Sequence, residues 1–407
     1  MKKLNVIYAG WGERFTLGQL ADDGRDILFE YSPVAVERGL QPSPFKLPLG
    51  PTAFGSFPEH QLRLPGFVSD SLPDGWGMLL MDRLFRKRGW EPRYMSPLER
   101  LAFIGNHAMG ALAYEPDSGE ALELQDVELL ALANEVRQVM ADGSEALLLE
   151  LALMGGSPHG ARPKVLVNLD RQTNRMSNTE AGPGVPWLVK FPARHEHKEV
   201  CAVEAMYGRI AQACGLRMPA TQYFDLGDEL SAFGIERFDR TNGMRVPMLT
   251  AAAAAHADFR VPQLDYVTLL RLTQFVTRDV REVLQAFERC VFNVVFNNRD
   301  DHSKNFSFLM SSEGHWQMSP AYDLTFNGGP HGEHQMDICG EARAPAHAHL
   351  MKLARLTGIA APAASRVIER IAAAASGFRR FADDLPITAS TLDQMEQTVL
   401  ANQARMV

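Results

Sequence analysis

The run from Asn297 to Asn305, NNRDDHSKN, decides how this 407-residue chain is interpreted. It follows a mostly apolar stretch, residues 283–296, and precedes a strand-like one, residues 306–309. Ser303 alone interrupts its charged, amide and imidazole side chains. So polar a connection between two elements that are expected to be buried requires either backbone capping or a chemical role.

The spacing within this run predicts a chemical role. Arg299 and Asp300, with Asn305 five residues after the aspartate, reproduce the R-D-x-x-x-x-N pattern of kinase catalytic loops. In that scheme Asp300 accepts the proton of the attacking hydroxyl and Asn305 binds Mg²⁺. The alternative is a polar helix-to-strand connection whose Asp and Asn side chains cap backbone groups.

The residues after the loop predict a second metal ligand. Residues 306–310 and 315–318 have strand-like patterns on either side of a turn at Glu313-Gly314, so a hairpin is expected. Such a hairpin returns Asp323 to the loop, where the second Mg²⁺ ligand of kinases lies. The alternative is that Asp323 serves as an N-cap or turn residue.

Three upstream features are candidates for nucleotide binding. The Gly-rich segment 154–164 precedes a strand and could cover phosphates, or it is a mobile surface hairpin. Lys190 lies in an apolar strand. It either binds phosphates or lies at an edge of the sheet, from which its ammonium group extends to water. Glu204, with Glu199 as the alternative, could orient Lys190 from the following helix, or it lies on a solvated helix face.

The strand that ends in Glu236-Arg237-Phe238-Asp239-Arg240 could offer backbone groups to an adenine ring. Charged residues of this kind also protect the edges of sheets, so both interpretations stay open.

Composition indicates a globular protein of two or three domains, with 46% hydrophobic and 22% charged residues. The net charge of −8 gives no domain-wide basic field for nucleic acid. The four cysteines, at 201, 214, 290 and 339, are scattered, as expected for reduced thiols. No run reaches transmembrane length, so we expect a cytoplasmic protein without a membrane partner.

We expect an α+β chain with three regions. Residues 1–145 form a small sheet with helices, 146–245 a nucleotide-binding region, and 246–407 a mainly helical region with the catalytic loop. Within the first region, residues 126–141 have the apolar periodicity of an amphipathic helix.

Taken in order, these motifs resemble the HipA family of bacterial serine/threonine kinase toxins. The resemblance covers nearly the whole chain, and the D-x-H-x-K-N form from Asp300 to Asn305 is its most specific part. It implies a two-lobed protein-kinase-like fold with an extra N-terminal α/β subdomain and an all-α C-terminal lobe. The other matching segments are residues 72–75, 156–164, 188–192, 236–240 and 320–324.

The resemblance implies a role for each matching residue. Asp300 would be the catalytic base, supported by His302 and Lys304, and Asn305 and Asp323 would bind Mg²⁺. Ser157 would be the site of autophosphorylation, which adds charge beside the phosphates and silences the enzyme. The residues expected to bind ATP are Ser157, His159, Gly160, Ala161, Arg162, Lys164, Lys190, Glu236 and Phe238.

The resemblance also implies partners. Family members act on translation components, notably aminoacyl-tRNA synthetases, and are held by a small helix-turn-helix antitoxin, so any DNA contact would be indirect.

Two residues depart from the expected pattern. His159 replaces a small residue in the Gly-rich loop, and Asp301 adds a carboxylate that could bind metal or face solvent.

Other functions remain open at this stage. A small-molecule phosphotransferase uses the same loop and aspartate. A metal-dependent hydrolase would use Asp300, Asp301, His302 and Asp323, but it leaves Lys190 and the Gly-rich loop without a role. A catalytically silent binding module is disfavoured because every key kinase residue is present.

Overall fold

The computed structural model describes residues 2–117, 122–142, 144–156, 158–173 and 175–407. The chain forms two compact units, each assembled from segments that are distant in sequence. The first comprises Met1–Lys198, Phe224–Leu249 and Leu309–Gly314, and the second comprises Glu199–Tyr223, Thr250–Phe308 and His315–Val407. Ser157, the predicted phosphorylation site, lies outside the described residues.

An antiparallel four-stranded sheet contains the N-terminal strands of the first unit. Alternate residues of one strand, Ile27, Phe29 and Tyr31, are buried, as the two-residue period of a strand requires. The small sheet expected within residues 1–145 is present. The order of the strands is Ile27–Tyr31, Phe15–Asp22, Lys3–Tyr8 and Leu112–Glu115.

A six-stranded sheet contains the predicted nucleotide-binding strands. Val165 pairs with Val189, and Trp187 in the same region is completely buried. The strands Thr221–Asp225 and Ser231–Glu236 are neighbours at one end of the sheet. The order of the strands is Asp126–Val127, Arg175–Ser177, Lys164–Asp170, Val185–Lys190, Ser231–Glu236 and Thr221–Asp225.

The longer helices of the first unit are Gly75–Lys87, Pro97–Ile104, Leu129–Asp142 and Glu145–Gly155. The helix Pro97–Ile104 begins after Ser96, which forms a reciprocal capping box with Glu99. The helix predicted over residues 126–141 begins three residues later than expected, at Leu129. Asp126 and Val127 instead pair with the strand Arg175–Ser177, a long-range contact that helical periodicity cannot reveal.

The second unit is mainly helical. Asp265 and Asp279 cap two of its helices by accepting hydrogen bonds from backbone N–H groups. The predicted hairpin is present as the paired strands Ser307–Met310 and Trp316–Met318. The helices are Glu199–Ala213, Ala251–Ala255, Tyr266–Thr277, Val280–Val295, His347–Leu356, Ala361–Ala375 and Ala389–Gln403.

The mixture of sheets and helices confirms the predicted α+β class. All four cysteines are free thiols, and three of them are buried. Within the ranges that the structure describes, no helix is long and apolar enough to cross a membrane.

Candidate active site

The predicted catalytic loop folds back on itself. Asn305 donates from Nδ2 to the Asp300 carbonyl oxygen at 2.8 Å, and its backbone N–H donates to the His302 carbonyl at 2.9 Å. The Asp300 side chain stays 45% exposed. Because Nδ2 is bonded within the loop, Oδ1 is the Asn305 atom suited to bind a cation.

His302 and Lys304 lie near Phe259, a residue that the sequence analysis missed. The ring centroids of His302 and Phe259 are 5.3 Å apart, and Lys304 Nζ lies 4.3 Å from the Phe259 centroid. His302 Nε2 is 3.9 Å from the nearer Asp300 oxygen, too far for a hydrogen bond. Cation–π attraction fixes Lys304 against the ring, consistent with a supporting role for both residues.

The hairpin returns Asp323 to the loop, as predicted. Ser319 N–H donates to the Ser307 carbonyl at 2.8 Å, and the Tyr322 hydroxyl donates to the Lys304 carbonyl at 2.6 Å. Asp323 follows directly, half-buried, with a positive φ of 55°. A small cavity, with a volume of about 10 Å³, is lined by Asn305 and by both neighbours of Asp323.

The donor set suits Mg²⁺, which prefers carboxylate and amide oxygens. Asn305 Oδ1 and the Asp323 carboxylate provide such oxygens on neighbouring parts of the second unit. Their role as metal ligands remains a prediction.

Asp301, the unexplained extra carboxylate, neither faces solvent nor is available to a metal. It is completely buried and accepts hydrogen bonds from the Tyr266 hydroxyl at 2.7 Å, His334 Nδ1 at 2.8 Å and Gln335 N–H at 2.8 Å. In the described part of the chain, no group of three or more His, Cys, Asp or Glu residues could hold a metal ion. The burial of Asp301 argues against the metal-dependent hydrolase, which would use this residue.

In the first unit, Lys164 and Lys190 lie directly opposite each other on adjacent antiparallel strands. They are 4% and 8% exposed, and Lys190 also faces the Phe233 ring at 5.8 Å. Lys190 therefore does not reach water at a sheet edge, which excludes the alternative interpretation. Residues directly opposite each other on antiparallel strands point to the same face of the sheet, so the two lysines lie on one face. The pair therefore suits phosphate groups.

The Gly-rich loop is tied to a part of the chain where the sequence showed no site chemistry. Gly160 N–H donates to an Asp74 carboxylate oxygen, and Trp76 N–H donates to the Gly160 carbonyl at 3.1 Å. Lys164 Nζ donates to the His159 carbonyl. Gly75 permits this approach, because a Cβ there would lie 2.6 Å from the Gly160 oxygen. The backbone around Ala161 is thus held in place despite the unusual His159.

Arg162, expected to bind ATP, has a protein partner. Its guanidinium forms a bidentate ion pair with Glu196, in which Nε and Nη2 lie 2.9–3.1 Å from the carboxylate oxygens. Glu196 also accepts from Ala193 N–H at 2.9 Å. The ion pair braces the loop, and a contact between Arg162 and ATP remains a prediction.

Glu204 is 2% exposed, so the solvated-face interpretation is wrong. The alternative residue, Glu199, has a different role. It accepts from Thr388 N–H at 3.0 Å and Thr391 Oγ1 at 2.9 Å, which anchors the start of the helix Ala389–Gln403. Glu204 remains the predicted lysine-orienting carboxylate.

The charges near Glu236 and Phe238 do not protect a sheet edge, because their strand lies between two others. Asp239 is completely buried and bonded to Arg237 and Arg240, and both arginines also bond Glu180. Although burial raises the pKa of Asp239, the two guanidiniums outweigh burial and hold it well below its usual range. The cluster is structural, and adenine binding by the backbone of Glu236 and Phe238 remains a prediction.

Comparisons with known proteins agree with these features. The family description "HipA N-terminal domain" matches residues 9–115, and "HipA-like C-terminal domain" matches residues 156–378. Two Sinorhizobium fredii proteins, Y4dM and Y4mE, whose names carry a provisional kinase designation, are 25% and 27% identical. The matches cover 77% of this chain and 75% of Y4dM, and 54% of this chain and 55% of Y4mE.

A solved structure shows the same fold. The HipA chain of a Shewanella oneidensis toxin–antitoxin complex with HipB and operator DNA aligns with a TM-score of 0.74 at 19% identity, over 99% of this chain and 97% of that chain. The chain thus has a HipA-like fold and two compact units. The chain belongs to the HipA family. The predicted HipA-like fold is confirmed.

Proposed function

We propose that this chain is an ATP- and Mg²⁺-dependent serine/threonine protein kinase that acts as the toxin of a bacterial toxin–antitoxin module. The folded catalytic loop carries the proposal: Asn305 is bonded to the backbone of Asp300, while the Asp300 carboxylate stays partly exposed. An exposed carboxylate on a fixed loop is suited to accept a proton.

The transfer joins the hydroxyl oxygen of a protein serine or threonine to the γ-phosphorus of ATP. The bond from that phosphorus to the bridging oxygen breaks, ADP leaves, and the hydroxyl proton moves to the Asp300 carboxylate. Mg²⁺ held by Asn305 and Asp323 would neutralise phosphate charge. His302 and Lys304, packed on Phe259, keep the loop in position.

The proposed nucleotide-binding site is based on two buried lysines, Lys164 and Lys190. Lys164 and Lys190 present two positive charges on one face of a sheet, and the loop that includes Gly160 is braced beside Lys164. The ammonium groups would bind phosphate oxygens by charge-assisted hydrogen bonds. Glu204 would orient Lys190, and the backbone at Glu236 and Phe238 would contact the adenine.

Autophosphorylation of Ser157 is the proposed means of inactivation. A phosphoserine carries a charge of about −1.5 to −2 at neutral pH. Ser157 lies three residues before Gly160, so its phosphate would compete for the lysines that hold the nucleotide and would repel the ATP phosphates.

The partners follow from the family. The similar Shewanella chain was solved with the antitoxin HipB and operator DNA, which supports a small helix-turn-helix antitoxin as partner here, with DNA contacted through it. The proposed substrate is a translation component of the aminoacyl-tRNA synthetase class.

Incubation with Mg²⁺ and labelled ATP, followed by mass spectrometry, tests the proposal. We expect label on Ser157 in the wild type and none in Asp300→Ala, which should still bind ATP in calorimetric titration. Asp228→Ala, a change of an exposed turn carboxylate, is the matched control and should label normally. Absence of both labelling and nucleotide binding in the wild type would overturn the proposal.

A further inference from the structure

The segment that follows Asp323 is held to the catalytic loop by two side chains of that loop. We call residues 327–343 the clamped segment. Arg299 donates to the carbonyl oxygens of Gly332 and Arg343, the latter at 3.0 Å. Asp301 accepts from His334 Nδ1 and Gln335 N–H, each at 2.8 Å. Asp300, the candidate base, lies between these two residues in the chain.

Backbone contacts complete the attachment. Arg299 N–H donates to the Asn327 carbonyl at 3.3 Å, and Gln335 N–H approaches the Arg299 carbonyl at the same distance. Asn297 and Asn327 also exchange backbone and side-chain hydrogen bonds at 3.0 and 3.1 Å. Gly329 has a φ of 68°, and a Cβ there would lie 2.8 Å from the Arg299 side chain. The segment therefore packs closely on the loop.

Asp301 is fixed from its other side by a buried polar chain. Tyr266 donates to Asp301 and accepts from Asn293 Nδ2 at 2.9 Å, and Asn298 Nδ2 donates to Asn293 Oδ1 at 3.0 Å. Burial, followed by the Asp301 charge, raises the pKa of Tyr266 well above its ordinary value, so the hydroxyl keeps its proton. Asp301 is thus a buried side chain whose hydrogen-bond donors come from both the helical core and the clamped segment.

The clamped segment contains no residue that a kinase of the serine, threonine or tyrosine class could modify. Residues 326–356 include no Ser, Thr or Tyr. In kinases that are switched through this segment, an added phosphate pairs with arginine side chains and orders the chain. Here Arg299 binds backbone carbonyls instead, and the Asp301 side chain provides the hydrogen-bond acceptors for His334 and Gln335.

We propose that Arg299 and Asp301 are positioning residues that hold the clamped segment, and through it Asp300, in the working arrangement without phosphorylation. This inference rests on the proposed kinase function and deepens it. Asp301 replaces an added phosphate with a permanent internal carboxylate. Regulation by phosphorylation would then act at the Gly-rich loop and not at the clamped segment.

Hydrogen exchange, which needs no catalytic activity, tests the clamp in the full chain. In Asp301→Asn an amide NH₂ group replaces an oxygen that accepts two hydrogen bonds. We therefore expect the hydrogen-exchange rate of the backbone amides of residues 327–343 to rise at least about tenfold. His334→Ala should have a similar effect. His334→Asn, which retains a donor near the Nδ1 position, should restore much of the protection. Asp383→Asn, at an exposed carboxylate, is the control.

Kinetics test the positioning role. We expect kcat for phosphate transfer to fall at least about tenfold in Asp301→Asn and His334→Ala. The Kd for ATP should stay within about twofold of the wild-type value. In His334→Asn, kcat should recover in part. Unchanged exchange in residues 327–343, or an unchanged kcat in variants whose segment is loosened, would overturn the inference. So would a phosphate in this segment whose removal lowers activity.

The two proposals fail separately. If the wild type transfers no phosphate, the proposed function fails, and the exchange result alone decides whether Asp301 clamps the segment. If Asp301→Asn does not fold, as judged by circular dichroism, the pair of His334 variants decides the question.

Discussion

Lys164 and Lys190 lie opposite each other on adjacent antiparallel strands of the first unit, and both side chains are buried. Side chains in such a pair lie on the same face, with Cβ atoms about 5 Å apart. The two side chains therefore present hydrogen-bond donors on one face of the sheet, where charge-assisted hydrogen bonds could bind phosphate oxygens. We consider this pair the clearest indication of phosphate binding in the first unit.

Removal of either charge should weaken nucleotide binding. We expect Lys190→Met and Lys164→Met each to raise the Kd for ATP by about ten- to a hundredfold, since hydrogen bonds to charged groups contribute about 1.5–3 kcal/mol. Isothermal titration calorimetry measures this effect. Lys3→Met, at an exposed lysine, should bind ATP like the wild type. Unchanged affinity in both buried variants would exclude the lysine pair as the phosphate site.

The Asp239 cluster should make the stability of the protein depend on acidic pH. The pKa of Asp239 in the folded state lies well below its value of about 3.9 in an unfolded chain. A lowered folded pKa contributes stability that is fully present above the unfolded value and is lost as the pH falls towards the folded value. We therefore expect the contribution of this group to decline below about pH 4.

Asp239→Asn isolates that contribution. At pH 7 it should lower the free energy of unfolding by about 3–5 kcal/mol, because Arg237 and Arg240 lose their buried partner. The difference from the wild type should be constant above about pH 5 and should shrink as the pH falls below about 4. Thermal melts across this range give the measurement, and Asp228→Asn is the control. A difference that does not change with pH would contradict the assignment.

The contact between Asp74 and Gly160 should govern the order of the Gly-rich loop. Asp74→Ala removes the acceptor of the Gly160 N–H, so we expect faster hydrogen exchange at residues 158–161 and a roughly three- to tenfold weaker affinity for ATP. Gly75→Ala should act in the same direction by steric conflict with the Gly160 carbonyl. Gly50→Ala, where a Cβ meets nothing within 4 Å, is the control. Normal exchange in both loop variants would refute this role.

Asn305 ties the loop through Nδ2 and, in our proposal, binds Mg²⁺ through Oδ1. Substitution can separate the two roles. Asn305→Asp keeps an oxygen ligand but loses the Nδ2 donor to the Asp300 carbonyl, whereas Asn305→Ala loses both. We expect the Mg²⁺ concentration for half-maximal transfer to rise at least about tenfold in the alanine variant and much less in the aspartate variant. Both should have a lower kcat, because the loop is no longer tied. Titration of activity with Mg²⁺ measures the difference, and equal Mg²⁺ requirements in all three proteins would argue against Asn305 as a ligand.

Several parts of the site were predictable because they depend on local patterns. The spacing from Asp300 to Asn305 lies within one loop, and the hairpin that returns Asp323 has its own turn and strand signals. The strand that contains Lys190 was evident from its apolar run. Side chains separated by a few residues constrain each other directly, so sequence alone indicates their arrangement.

Tertiary structure alone decided the roles of residues whose partners are distant in the chain. Asp301 and His334 are 33 residues apart, Asp74 and Gly160 are 86 apart, and Gly110 donates to Asp239 from 129 residues away. No periodicity or spacing relates such pairs, since their contact depends on how whole elements pack. The sequence therefore determined the α+β class, the catalytic loop and the family resemblance. The fold decided that Asp301 is a buried anchor, because burial removes water and leaves protein donors as its only hydrogen-bond partners.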